Sequence, residues 1–332
     1  MDSVGNLARS LVLRTNQVRL REEMDKLAVE VSTGLVKDTG QHLNGDLSNL
    51  LAIDRSLNKL NAFAVNVTEA TYITSTMQTT LEEMQSRTQT LSQTLVAAEL
   101  TPSGELLSTM SDDAKSALGQ VLGALNRSVA GRSLFAGTAT DRPAVLALDD
   151  VMTELTTALA GQTDLAGIEA ELDIFFGAGG TYETVVYQGS NTGLSPIRLG
   201  ENETASVDIR ATDDTFRELL IPLAMAAVAS NGGLGLDESV QVELLSKSGR
   251  DLLAAQKPIV ELRAGLGALE ARIEETKTRN AAERTATSKA KLELVGADPY
   301  ETASRYEAIR GQLESLYTIT ARSQRLSLAE FL

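Results

Sequence analysis

Few residues in this sequence have the chemistry of a catalytic or metal site, and their spacing fits neither. There is no cysteine, which excludes disulfides, cysteine-based metal sites and thiol nucleophiles. His42 is the only histidine, so a Ser-His-Asp triad or a histidine-based metal site has one possible member. It lies among Gly40, Gln41 and Asn44, and we interpret it as an exposed loop histidine.

Two acidic pairs and one glycine-rich stretch are further candidate sites. Asp112-Asp113 and Asp213-Asp214 each stand where a helix is predicted to begin, and carboxylates there are explained by capping and by the helix dipole. Residues 232–235 (Gly-Gly-Leu-Gly) are not a phosphate loop, because no Lys-Ser or Lys-Thr follows them. We therefore predict no catalytic residue, no cofactor and no metal, and a protein that is not an enzyme.

The charge of the chain is concentrated in its middle. The net charge is −15, and residues 149–245 carry 17 acidic residues against three basic ones. Binding of nucleic acid needs a basic surface, so nucleic acid is not an expected partner. We interpret the acidic middle as a solvated exterior that repels other acidic surfaces.

No segment of the sequence has the length and apolarity of a membrane span. The most apolar stretch, residues 219–229, is too short to cross a bilayer. The sequence begins Met-Asp-Ser, without a basic region followed by an apolar core, so we expect any export to avoid the Sec route.

Long helices are predicted for both ends of the chain. Residues 46–101 contain neither Gly nor Pro, and apolar or small residues recur there at steps of three and four. These residues are Leu57, Leu60, Ala64, Val67, Thr71, Met77, Leu81, Met84, Thr88, Leu91 and Leu95. The same spacing returns at Ile259, Leu262, Leu266, Leu269 and Ile273.

The terminal helices show this spacing as well. Its residues are Leu13, Leu20, Met24, Leu27 and Val31 in the first helix, and Tyr306, Ile309, Leu313 and Leu316 in the last. An apolar stripe needs a partner, and the simplest partner is the other end of the same chain. The predicted fold class is therefore mainly α: a long antiparallel helical rod or coiled coil formed by the N- and C-terminal segments, with an inserted α+β domain.

The middle of the chain changes character. A helix is predicted over 111–133, with its N-cap at Ser111, and short amphipathic segments are predicted near 149–160 and 165–175. Strands are predicted over 182–188, 196–199 and 205–211, where β-branched and aromatic residues stand between glycines. A further helix is predicted to begin at Asp213-Asp214.

Four segments, in order along the chain, resemble the flagellin superfamily and more closely its hook-associated protein 3 family. Residues 126–138 (Asn-Arg-Ser-Val-Ala-Gly-Arg-Ser-Leu-Phe-Ala-Gly-Thr) are the most specific. Residues 29–35 are similar to the end of the first helix of the family. Residues 187–200 resemble its Tyr-x-Gly and Ile…Gly strands, and residues 306–332 resemble its C-terminal end, which closes Ser-Leu-x-Asp-Phe-Leu.

The resemblance implies a division into three parts. Residues 1–35 and 299–332 would form a terminal axial coiled coil, and 36–137 with 232–298 would form a helical rod. Residues 138–231 would form an outer, acidic α+β domain. The implied function is a structural adaptor that joins the hook, through another hook-associated protein, to the flagellin filament.

The resemblance also implies the partners and the location. The partners would be hook-associated protein 1, flagellin, further copies of the chain in a helical ring, and an export chaperone. The protein would leave the cell by flagellar type III export and lie in the extracellular flagellum, with no membrane partner. The implied assembly residues, all in the terminal helices, are Leu13, Leu20, Met24, Leu27, Val31, Tyr306, Ile309, Leu313, Leu316, Leu326, Leu328, Phe331 and Leu332.

Two other functions stay open at this point. A filament-forming flagellin would share the same helices and the same export. A cytoplasmic coiled-coil scaffold or signalling rod would share the heptad spacing alone.

Overall fold

The computed structural model describes residues 2–99, 103–230 and 232–329, and most of this part of the chain is helical. Its α-helices are α1 (Asp2–Thr33), α2 (Thr39–His42), α3 (Ser48–Val96), α4 (Gly104–Leu125), α5 (Leu148–Ala158), α6 (Leu165–Phe176), α7 (Asp214–Val228), α8 (Glu238–Ala254), α9 (Gln256–Val295) and α10 (Pro299–Ala329). Two antiparallel hairpins interrupt them, β1 (Ser128–Val129) with β2 (Arg132–Ser133) and β3 (Ile197–Arg198) with β4 (Thr204–Ala205). The predicted fold class, mainly α with an inserted α+β region, is confirmed.

The longest helix, α3, buries one continuous seam. Its buried residues, with one from the 3₁₀ turn that follows (Ala97–Glu99), are Leu60, Phe63, Val67, Ala70, Thr74, Met77, Thr80, Leu81, Met84, Thr88, Leu91, Ser92, Leu95 and Ala98. Ala64 and Thr71, predicted to lie on this seam, are half-buried beside it. Threonine is tolerated inside the seam because its hydroxyl can donate to a carbonyl of its own helix, as Thr88 Oγ1 does to Met84 O at 2.8 Å.

The helix predicted over 111–133 begins and ends earlier than expected. Ser103 caps α4, its hydroxyl accepting a hydrogen bond from Leu106 N at 3.4 Å. The predicted cap, Ser111, is instead buried inside α4 and donates to Ala226 O at 2.9 Å. The capping interpretation of Ser111 and Asp112-Asp113 is therefore wrong.

After α4 the chain turns back as a tight hairpin. Ala130 and Gly131 have φ values of 49° and 77°, and two left-handed residues between paired strands form the type I′ turn. Residues 126–133 had been predicted as the end of the helix. The hairpin escaped prediction because its strands are two residues long and carry no alternating pattern.

The strand predicted over 182–188 is wrong. Tyr182–Val186 form one π-helical turn, in which Tyr182 and Val186 are both buried at helical spacing. The Tyr182 hydroxyl donates to Ala211 O at 2.8 Å, so the buried ring also has a polar partner. Of residues 205–211, only Ala205 belongs to a strand. Ala211 N donates to the loop carbonyl oxygen of Phe135 at 3.0 Å.

The chain divides into two compact units, Met1–Ala62 with Ala281–Leu332, and Phe63–Asn280. In the second unit α7 packs against α4 and α8, and the rings of Phe135 and Phe216 meet edge to face at 5.6 Å. Residues of α7 therefore share one core with α4, although 138–231 were expected to form an outer domain. The three-part division stays a prediction.

Candidate assembly interface

The two terminal helices, α1 and α10, pair in antiparallel orientation. Thr302, Tyr306, Ile309, Leu313 and Leu316 follow one another at steps of four and three and line one face of α10. Among the described side chains of the two helices, the buried leucines are Leu20, Leu27 and Leu313, each 4–6% exposed. The remaining apolar seam residues are half-buried, so this thin seam buries few side chains for helices of this length.

An open cleft runs between these two helices. Its volume is about 630 Å³, and its lining includes Leu20, Gly311, Leu316 and Ile319. The small residues on α10 leave room that none of the described side chains fills. A partner that inserts apolar side chains could fill that space.

Large apolar side chains also face water along this pair. The exposed fractions are 65% for Leu11, 50% for Val18 and 56% for Ile319. A row of exposed apolar residues on a helix pair is typical of an interface with other protein chains.

A polar contact bridges the same helices. The Arg21 side chain donates from Nε to the Tyr317 hydroxyl at 2.9 Å, and its guanidinium lies 5.7 Å from the centre of the Tyr317 ring. Hydrogen bonds from Gln17 and Arg21 lower the pKa of the Tyr317 hydroxyl. Apolar spacing points to neither residue, because both side chains are exposed.

Most predicted assembly residues with described side chains lie on this pair as expected. Leu20, Leu27 and Leu313 are buried, and Leu13, Met24, Tyr306, Ile309 and Leu316 are half-buried. Val31 is the exception within the pair. It is 49% exposed, and Glu30 takes the inward position, 7% exposed, with its carboxylate accepting a bond from Lys37 N at 3.0 Å. Glu30 occupies the seam position and is polar, so apolar spacing predicted the next residue, Val31, in its place.

Four predicted assembly residues fall outside the described part of the structure. Leu326 and Leu328 are described without their side chains, and Phe331 and Leu332 are not described. Their role in assembly stays a prediction, as it does for the nine residues above.

The titratable groups form no reactive constellation in the described residues. His42 is exposed at the end of α2. Asp213 precedes α7 as predicted, but its side chain makes no capping hydrogen bond to that helix. Its Oδ2 instead accepts a bond from Arg210 N at 3.0 Å, and burial raises the pKa of its carboxyl. Among those residues, no three His, Cys, Asp or Glu side chains are grouped to hold a metal ion.

The family of the chain follows from comparison with family models. Residues 4–140 match the bacterial flagellin N-terminal helical region, and residues 253–332 match the bacterial flagellin C-terminal helical region. These are the two segments that contribute α1 and α10. The chain belongs to the flagellin superfamily. Flagellin-superfamily proteins are structural, so the chain is a structural protein of the bacterial flagellum and not an enzyme.

At the level of the fold, one solved structure agrees with this. The Bacillus cereus FlgL crystal structure superposes with a TM-score of 0.51 at 15% identity, over 72% of this chain and 98% of that chain. A structure from Vibrio parahaemolyticus, assigned as a flagellar hook-associated protein, has a TM-score of 0.48 at 13% identity, over 74% and 95%. No curated protein sequence matches the chain.

Membership of the flagellin superfamily bears on the predicted location. It implies assembly outside the cell, within the flagellum, and argues against the cytoplasmic scaffold. None of the helices among the described residues combines the length and the apolarity of a membrane span.

Proposed function

We propose that this flagellin-superfamily chain is the adaptor between hook and filament. The observation that carries an assembly role is the terminal helix pair, with its thin seam, its open cleft and its exposed Leu11, Val18 and Ile319. Such a pair gains apolar contacts only when neighbouring copies or partners cover it.

The choice of the junction over the filament rests on the resemblance of residues 126–138 to the hook-associated protein 3 family. In this chain the packing of residues 126–138 explains why the segment contains phenylalanine and glycine. Phe135 is fully buried against Phe216, and Ala136 O accepts a bond from Ser190 N at 2.9 Å. A Cβ on Gly137, which has a φ of 58°, would lie 2.4 Å from Ser190 O, so only glycine fits there.

The adaptor would meet hook-associated protein 1 on one side and flagellin on the other, with further copies beside it in a helical ring. Type III export, helped by an export chaperone, would deliver it to the growing tip. The proposed contacts are the terminal residues named above.

A strain that lacks the gene tests the proposal. We expect it to keep its hooks, to release unpolymerised flagellin into the medium, and to regain filaments when the full chain is restored. Restoration with Leu11→Asp and Val18→Asp together should fail, since both residues are exposed and their loss should spare the monomer. Ile174→Asp, at a position on α6 that is as exposed as Leu11 (65%), is the matched control and should restore filaments.

The filament-forming flagellin is the competing function. A junction subunit has different neighbours above and below, so its growth on itself must be limited. We expect the purified protein, seeded with flagellin fragments, to stay monomeric or to form short oligomers. Long regular filaments grown from this chain alone would assign it to the filament.

A further inference from the structure

A hairpin from the acidic middle of the chain lies against α3 and α9. Leu199, directly after β3, and Ala205, in β4, are both fully buried. They form one apolar cluster with Val67 and Ala70 of α3 and Ile273 of α9. This cluster is separate from the main core of the same compact unit, which contains the buried face of α7. The hairpin therefore closes a second, smaller core between two long helices.

Side chains of α3 and α9 hold the hairpin by its backbone. The bonds run from Asn66 Nδ2 to Arg198 O at 2.8 Å, from Asn280 Nδ2 to Leu199 O at 2.7 Å, and from Arg272 Nη2 to Thr204 O. Because the acceptors are backbone carbonyls, these bonds form only where the hairpin itself is correctly placed. Asn280 is 7% exposed, so the loss of its bond would leave a buried carbonyl without this partner.

The segment that carries the hairpin is fastened to the main core at both of its ends. At one end Thr138 N donates to Thr192 O at 3.0 Å, and at the other Ala211 N donates to Phe135 O at 3.0 Å. Phe135 and Thr138 belong to one short segment of the chain. Residues 192–211 therefore leave the core and return to it at nearly the same place, with the hairpin at their tip.

We propose that residues 192–211 form a strap, whose tip binds α3 and α9 and holds these two helices together around Val67 and Ile273. The acidic middle of the chain then supports the long helices in addition to forming a solvated surface. Separation of α3 from α9 at this place requires the hairpin to leave first. The strap depends on the fold alone and is independent of the proposed adaptor role.

The helices need such a support because their own contacts near the cluster are weak. The buried side chains that they supply there are mostly small or polar, and they include Ala70, Thr74 and Thr276. Helices that meet through such side chains bury little apolar surface against each other. Leu199 adds a large apolar side chain from a third element, and Ile273 in the same cluster is only 1% exposed.

Two substitutions should release the strap. Leu199→Ala removes most of the apolar side chain at the tip and leaves the sequences of α3 and α9 unchanged. Asn280→Ala removes the donor to Leu199 O. Alanine is the better helix former, so a loss of protection in α9 would come from the lost bond and not from helix propensity. Asn202→Ala, at an exposed position in the turn of the hairpin, is the matched control.

Amide hydrogen exchange on the full-length protein tests the proposal. In the unmodified protein we expect residues 63–73 of α3 and 269–280 of α9 to be protected. Leu199→Ala should accelerate exchange in both segments about tenfold, and Asn280→Ala should change it in the same direction. Asn202→Ala should leave exchange unchanged. The amides of α7, which packs in the main core, should keep their protection in all three variants.

Unchanged exchange of both helical segments in Leu199→Ala would overturn the strap, because α3 and α9 would then hold together without the hairpin. Equal acceleration in Asn202→Ala would also overturn it. If Leu199→Ala loses protection in α7 as well, Asn280→Ala decides. Faster exchange of residues 63–73 in that variant, with α7 still protected, supports the strap, and any other result refutes it.

Discussion

Replacing Asn126 with alanine should destabilise the protein by about 2–4 kcal/mol. Asn126 follows α4 and begins the segment that carries the family resemblance. Its Nδ2 donates to Val145 O at 2.9 Å, and its Oδ1 accepts from Val145 N at 2.8 Å. One side chain thus satisfies both backbone groups of a residue that is 1% exposed.

The magnitude follows from what alanine would leave behind. Val145 would keep a buried N–H and a buried carbonyl without protein partners, and each such group costs about 1–3 kcal/mol. We place the total in the lower part of the summed range because Asn126 is itself half-buried, so water could reach part of the gap. The neighbouring strand-like bonds, Leu146 N to Val186 O and Gln188 N to Ala144 O, should weaken with it.

Urea unfolding measures the loss, and exchange of the Val145 amide reports whether it is local. Asn58→Ala, at an exposed site in α3, is the control and should change the free energy of unfolding by less than about 0.5 kcal/mol. A loss below about 1 kcal/mol in Asn126→Ala, with the Val145 amide still protected, would refute this reasoning.

Three further predictions test other parts of the chain. Ala130→Asn should raise the free energy of unfolding by about 0.5–1 kcal/mol, because asparagine tolerates the left-handed backbone better than alanine. The control, Ala281→Asn on an exposed face of α9, should lower the free energy of unfolding. Urea unfolding midpoints of the two variants measure both effects. Burial raises the pKa of Tyr182 far above 10.0, so above pH 10 only the unfolded state loses this proton and stability falls as pH rises. Tyr182→Phe should cost about 1–2 kcal/mol at pH 7 by orphaning Ala211 O, yet flatten that fall, and equal slopes in both proteins would contradict the assignment. Finally, salt should promote self-association, since it screens the acidic residues of 149–245; a sedimentation profile unchanged between about 0.05 and 0.5 M NaCl would count against repulsion.

The sequence predicted the long helices well because their signal is local. Heptad spacing repeats along a single segment, so α3, α9 and α10 could be placed without knowing what they pack against. Even there the exact seam depended on the partner: Phe63 and Ala70 are buried where Ala64 and Thr71 had been chosen. Apolar residues spaced three and four apart predict the buried face of a helix to within one residue position. Packing against the partner then decides which of two adjacent positions is buried.

The short elements were predicted poorly because contacts distant in sequence decide them. Tyr182 and Val186 have strong strand propensity, but a buried hydroxyl bond to Ala211 and packing in the core hold them in a helical turn. Ser111 looks like a cap from its neighbours and is instead a buried donor to α7.

What the sequence determined by itself was the class of protein. Its heptads, its lack of cysteine, its acidic middle and its ordered motifs indicated a helical, structural member of the flagellin superfamily, because each is a property of one segment or of composition. Only the tertiary structure decided how the candidate interface is built. Glu30 in place of Val31, the bond between Arg21 and Tyr317, and the backbone bridge between Leu35 and Gly296 all join residues far apart in the chain or depend on which side of a helix faces its partner, and no local pattern encodes such pairings.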